Sequence, residues 1–137
     1  MIICDTGPLV AVLNAGDEHH AACRHLLEHE RGPLVVPAPV LTEVCYLTAS
    51  RLGAGAEAAF LASLASGELV LEATTPGALG RMVDLVRKYA DFPLGAVDAS
   101  VIAVAERLGA GRVATLDRRH FRAVRPAHRD AFELLPA

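Results

Sequence analysis

The feature that most constrains this chain is the alternation of short, wholly apolar runs with longer segments of helical pattern. Met1 to Cys4 and Leu34 to Val36 read as buried strands, and Arg112 to Leu116 reads as a strand. Glu68 to Glu72 alternates like a strand, and Phe132 to Leu135 is a candidate last one. Between them, helical patterns run from Pro8 to Asn14, from a cap at Asp17 to about His29, and from Pro39 to about Leu52. Glu57 to Ser66 follows, and then a helix opened by Thr75-Pro76, with Leu79, Met82, Val83 and Val86 on its apolar stripe. Ala96 to Leu108, stopped by Gly109, is the clearest helix of all. Strands and helices taking turns in this way predict an α/β fold, a three-layer α/β/α sandwich with a mostly parallel central sheet.

A length of 137 residues predicts a single domain over 1–137. No internal repeat, low-complexity tract or linker interrupts it, and Gly53-Ala54-Gly55 reads as a loop between helices. With 53% of its residues hydrophobic, the chain has the means to pack a core, which argues against disorder. No apolar run reaches the ~18 residues that span a bilayer, and no signal-peptide pattern opens the chain. The expectation is a cytoplasmic protein without a membrane partner. Cys4, Cys23 and Cys45 are odd in number and widely spaced, so they read as small buried hydrophobes. A net charge of -3 does not mark a generic nucleic-acid binder. Half of the arginines, however, fall in one C-terminal stretch: Arg112, Arg118, Arg119, Arg122, Arg125 and Arg129, with His120 and His128 among them. Such a cluster is either a solvated face or an anion-binding patch.

Four carboxylates sit where carboxylates are costly. Asp5 ends the first strand, and in a parallel α/β sheet ligands bind outside the carboxyl ends of the strands. The ordinary alternative is a helix cap, which Thr6 alone would also supply. Glu43, in VLTEVCYL, shares a helical face with Val40 and Leu47, unless the stripe is centred on Val44 and Glu43 lies at its wet edge. Both readings stand. Asp98 shares its face with Val101, Ile102 and Ala105 on a helix apolar almost all round, with a role at the helix N-terminus as its alternative. Asp117 lies at or just past the end of another strand, where a turn-forming Asp is also common.

Singly none of these decides anything; together they are two acids at strand ends and two on apolar helix faces. If they converge, their repulsion favours protonation or a bound divalent cation. Mg²⁺ or Mn²⁺ takes oxygen ligands and leaves room for water and a substrate phosphate. That arrangement suits metal-assisted hydrolysis of a phosphodiester.

The segments I-I-C-D-T-G, V-L-T-E-V, D-A-S-V-I-A-V-A-E-R-L-G and V-A-T-L-D-R-R-H-F resemble, in order and over nearly the whole chain, the PIN domain of VapC-type toxins. The resemblance implies a PIN-like fold and an Mg²⁺- or Mn²⁺-dependent endoribonuclease acting on tRNA or ribosomal RNA. It also implies a homodimer, and a cognate VapB-like antitoxin that blocks the active site. By position it makes Asp5, Glu43, Asp98 and Asp117 the catalytic, metal-binding quartet, with Asp5 and Asp98 as direct ligands. Thr6 and Thr115 would be supporting hydroxyls. Many relatives carry a further acid just before the position of Asp98, where this chain reads Gly95-Ala96-Val97. Arg118, Arg119 and Arg122, which follow Asp117, would line the RNA approach, or serve as ordinary surface arginines.

Other chemistries fit less well. His25 and His29 are four apart, but no Glu or Cys completes a familiar zinc spacing. A phospho-accepting Asp5 would want a second Asp at position 7, which is Gly7, or a late lysine, whereas the one lysine is Lys88 in a helix. The alternative from outside enzymology is a catalytically silent PIN-like module that binds RNA or protein. An intact quartet argues against it.

Overall fold

A computed structural model describes residues 1–137. The run Ile2–Cys4 forms β1, each of its residues fully buried. Leu34–Pro37 forms β2 and Arg112–Ala114 forms β4, and these flank β1 on either side. Val70–Glu72 (β3) and Glu133–Leu135 (β5) are the edges, in the order β3-β2-β1-β4-β5. Every pairing is parallel, with Ile3 opposite both Val35 and Val113. The central strands are buried on both faces, which is why they read as continuous apolar runs rather than alternating ones. The half-exposed edges carry Val70, Leu71 and Glu133.

Seven helices flank this sheet: Thr6–Leu13 (α1), His20–His29 (α2), Ala38–Arg51 (α3), Ala54–Ala65 (α4), Pro76–Lys88 (α5), Ala96–Leu108 (α6) and Arg118–Ala123 (α7). The expected α/β/α sandwich is thus the observed one, with a wholly parallel sheet. None of these helices is long and apolar enough to cross a membrane. Helix α6 lies at the centre, buried without interruption from Ala99 to Ala105, and it packs on α5, α3 and the middle strands. Gly109, with φ of 68°, ends it in the left-handed region that a side chain resists. Cys4 and Cys23 are buried, Cys45 is half-buried, and all three are free thiols. Burial pushes the Cys4 thiol up to about 12, so it behaves as a small hydrophobe.

The structure departs from the sequence reading in several places. Helix α1 begins at Thr6 rather than Pro8, because a proline in the first turn forfeits only a hydrogen bond that turn lacks anyway. Asp17 accepts from the His19 N–H at 2.7 Å, and so starts the turn into α2 rather than capping the helix itself. Of Gly53-Ala54-Gly55, only Gly53 lies outside a helix. On α5 the face turned inward is Ala78, Met82 and Leu85; Leu79, Val83 and Val86 remain exposed. Both sets have helical spacing, and it is packing against α6 that chooses between them. Strand β4 stops at Ala114, two residues short of expectation. Helix α7 was not anticipated. Asp117 caps it, accepting from the His120 N–H at 3.3 Å, and Phe121 anchors it in the core.

Candidate active site

The order of the strands reverses at β1, with β2 and β3 on one side of it and β4 and β5 on the other. Crevices form at such a switch point, outside the carboxyl ends of the strands. Asp5 and Asp117 follow the two strands that meet there. The Asp5 N–H donates to the Ala114 carbonyl at 2.9 Å, which extends the β1–β4 ladder by one bond and fixes Asp5 at its rim.

The cleft that opens at this point, of ≈ 460 Å³, is lined by Asp5, Thr6, Glu43, Asp98 and Asp117, with Gly7, Leu47 and Leu116. Each acid arrives by a different route. Asp5 comes from the end of β1 and Asp117 from the loop after β4. Asp98 lies in the first turn of α6, where no side chain caps the helix. Glu43 stands on α3, whose buried stripe is Val40, Val44 and Thr48. It therefore sits at the margin of that stripe and still reaches the cleft. Of its two sequence readings, the edge position describes its burial and the shared pocket describes its surroundings.

Thr115 ties the floor of the cleft together. Fully buried, its hydroxyl donates to Asp5 Oδ2 at 2.8 Å and accepts from the Asp117 N–H at 3.0 Å. Thr6 is also buried, and its hydroxyl oxygen has no hydrogen-bond partner in the protein. A buried orphan of that kind is unusual and calls for a ligand or water.

Electrostatics follow from this crowding. Burial pushes the Asp5 carboxyl above its ordinary range, the Thr115 hydroxyl opposes that shift, and Glu43 and Asp117 reinforce it. Asp98 is pushed up to about 6, first by burial and then by Asp5, with His120 acting against the rise and Asp117 and Glu43 adding to it. Carboxylates repel one another in a half-dry cleft, and a cation placed among them would relieve the repulsion.

His120, which sequence reasoning placed only within the basic stretch, belongs to this site. Its Nδ1 is in close hydrogen-bonding contact with Asp117 Oδ2 and lies 3.9 Å from Asp98 Oδ2. One ligand atom each from Asp98, Asp117 and His120 falls within 4.8 Å of the others. The available signal was the spacing D-x-x-H after a strand, because residues three apart share a helical face. The arginines are placed differently from one another. Arg118 donates to the Pro136 carbonyl, Arg119 lies 5.2 Å from the centre of the Phe92 ring, and Arg122 is exposed. Asp91, the acid that precedes the departure at Gly95-Ala96-Val97, is exposed and does not line the cleft.

A second cavity, of ≈ 300 Å³, is lined by Leu9, Val12 and Leu13 of α1, Leu27 of α2, Phe60 of α4, and Leu34 and Leu69, with polar residues at its margin. Its Arg24 and Glu28 are paired with each other. It gathers no convergent set of acids.

Comparison with known proteins gives the family. Residues 2–126 match the family model of the PIN domain. Ribonuclease VapC26 of Mycobacterium tuberculosis is 36% identical over 135 residues, covering 98% of this chain and all of that protein. The structure of VapC20 from the same organism, described as a toxin that cleaves the sarcin–ricin loop, superposes with a TM-score of 0.78 at 25% identity, over 82% of this chain and 87% of that one. VapBC2 from Rickettsia felis, bound to promoter DNA, gives 0.71 at 16% identity over 98% of both chains. FitAcB from Neisseria gonorrhoeae gives 0.58 at 18% identity over 84% and 86%. The last two likenesses concern the fold alone. With the PIN-domain model matched over residues 2–126 and a 36%-identical VapC ribonuclease matched from end to end, the chain belongs to the PIN-domain family and, within it, to the VapC-type proteins.

Proposed function

We propose that this chain is a metal-dependent endoribonuclease, the toxin half of a toxin–antitoxin pair. On this reading it works in the cytoplasm on tRNA or ribosomal RNA, and it forms a homodimer held in check by a VapB-like antitoxin. The observation that carries the reading is the convergence of Asp5, Glu43, Asp98 and Asp117 on one cleft. The donor set fits Mg²⁺ or Mn²⁺: it is rich in oxygen, it is charged, and it stands beside the orphaned Thr6 hydroxyl. Asp5 and Asp98 would hold the ion directly, and Glu43 and Asp117 would complete its surroundings. A bound cation supplies a Lewis acid for the scissile phosphate and lowers the pKa of the attacking water.

The protein's own groups do the rest. Thr115 fixes the Asp5 carboxylate through its hydroxyl and holds the Asp117 backbone through the same oxygen, so the two acids keep one spacing. Arg119 and Arg122, on α7 next to the cleft, offset repulsion between the acids and an RNA backbone. Arg118 adds charge there while its guanidinium stays anchored on Pro136. With four Phe and two Tyr in the chain, the reading needs no aromatic platform for bases, and contacts to phosphate dominate it.

Partner-free protein incubated with total RNA in Mn²⁺, Mg²⁺ or EDTA tests this. Discrete cleavage should require metal and fall by about 100-fold or more in Asp98→Asn, at or beyond the cost of disturbing a ligand's surroundings. Cleavage that persists in EDTA overturns the metal reading. A protein that binds metal and RNA but leaves the RNA intact in every lane is a silent binding module instead. Sedimentation at micromolar concentration checks the dimer, and a strict monomer would remove it.

A further inference from the structure

We propose that His120 is a nitrogen ligand of the divalent-cation site, through Nδ1, and that it makes the site favour Mn²⁺ over Mg²⁺. The inference rests on the reading of the cleft as a metal site and adds a donor that the acidic quartet does not contain.

Geometry supplies the first argument. Nδ1 lies between two carboxylates held by separate elements, in contact with Asp117 Oδ2 and 3.9 Å from Asp98 Oδ2. Donors on one octahedral ion lie about 3 Å apart when adjacent and about 4.2 Å when opposite, given metal–ligand bonds near 2.1 Å. The separation to Asp98 falls within that range; the contact with Asp117 Oδ2 is closer than two donors on one ion stand, so Nδ1 exchanges that hydrogen bond for the ion when one binds. The ring is also held in place. The cap bond from its own N–H to Asp117 Oδ1 sets the backbone at 3.3 Å, and the Phe92 ring packs edge-on at 5.2 Å between centroids. The ring is only about a quarter exposed. A histidine at this place meets Asp98 and Asp117 whatever else it does.

A second and independent observation points to a ligand in the same cleft. The buried Thr6 hydroxyl, which lines it, has no partner within the protein. The cluster of acids is therefore not the sole sign that something is bound.

Chemistry supplies the selectivity. Mg²⁺ prefers oxygen donors and sheds water reluctantly, whereas Mn²⁺, a first-row transition ion, accepts an imidazole nitrogen more readily than Mg²⁺ does. Four carboxylates alone would accept either ion. Exchanging one oxygen position for Nδ1 shifts the balance toward Mn²⁺.

The competing account is that His120 only orients Asp117 or neutralises it, as a positioning residue. The two accounts differ in what they do to metal preference. Mn²⁺ and Mg²⁺ are titrated calorimetrically, in the absence of RNA, into partner-free wild type, His120→Asn and Asp98→Asn at one pH. Ligation predicts that His120→Asn weakens Mn²⁺ binding by about tenfold and Mg²⁺ by less than about threefold, the lower end of the range for disturbed metal sites. Equal weakening of both ions, or no change in either, overturns the proposal. Asp98→Asn should weaken both ions, and if it changes neither, the metal reading of the cleft is what fails. Pulsed EPR of Mn²⁺-loaded wild type reads the bond without any substitution. A histidine-nitrogen coupling that shifts on ¹⁵N-histidine labelling is expected, and its absence overturns the proposal even if the variant does not fold.

Discussion

Helices α5 and α6 pack against each other and break the amphipathic pattern in opposite directions. Helix α6 is buried from Ala99 to Ala105 on every side, yet it carries a carboxylate, Asp98, in its first turn. Helix α5 buries Ala78, Met82 and Leu85, yet leaves Leu79, Val83 and Val86 bare. A polar bond joins them as well: Arg81 grips Glu106 with two hydrogen bonds, of 2.7 and 3.0 Å, and Glu106 also accepts from the Ala127 N–H. The difference shows how the site is built. A helix wholly inside the protein carries charged side chains only at its ends, and the first turn of α6 is where the sheet opens. A helix at the surface can carry apolar residues outward without disturbing the core.

The largest effect should separate the two faces of α5. Leu85 is fully buried, and Leu85→Ala should cost about 2–5 kcal/mol, the transfer term plus the cavity it leaves. Val83→Ala, on the exposed face, should stay within about 0.5 kcal/mol. Urea denaturation of both variants checks this, and equal losses would mean that the two faces are not different.

The next effect concerns the misfit on α6. Its folded-state value of about 6 lies above the ordinary 3.8, so ionising Asp98 costs stability in the folded protein. The cost is absent below about pH 4, where the carboxyl is protonated folded or unfolded, and it is complete above about pH 6. Asp98→Asn should therefore match wild type near pH 4 and exceed it at pH 7.5, by about 1–2 kcal/mol after allowing for solvent screening of a partly exposed group. Thermal melts in EDTA across that range provide the measurement. A variant less stable than wild type at pH 7.5 would mean that Asp98 is a stabilising partner of the helix N-terminus.

The same physics decides what was legible in the sequence. Strands β1 and β2 and helix α6 announced themselves because burial leaves near-continuous apolar runs, and Gly109 marked the stop. Helix α7 did not, because Arg118, Arg119 and Arg122 hide a six-residue turn whose causes are a cap at Asp117 and one buried anchor, Phe121. On α5 two apolar sets had the right period, and the sequence does not say which one a neighbour covers. At the cleft, Asp5, Glu43, Asp98 and Asp117 were legible as charges in apolar company. His120 was not, because it stands among arginines in the sequence and only the turn of α7 carries it back over Asp117.

The smallest effect uses one substitution on both helices. Gly80 lies within α5, on its exposed side, and a Cβ there would meet no atom within 4 Å. Gly109, which ends α6, has equally open surroundings but a φ of 68°. Space is thus the same at the two positions, and backbone conformation differs. Gly80→Ala removes unfolded-chain entropy at no steric cost and should stabilise by about 0.5–1 kcal/mol. Gly109→Ala forces a side chain into the left-handed region and should destabilise by about 1 kcal/mol. Paired melts should move in opposite directions. If both move the same way, the stop of α6 does not depend on a glycine, and what ends it is the hydrogen bond from the Ala110 N–H to the Ala105 carbonyl at 2.8 Å.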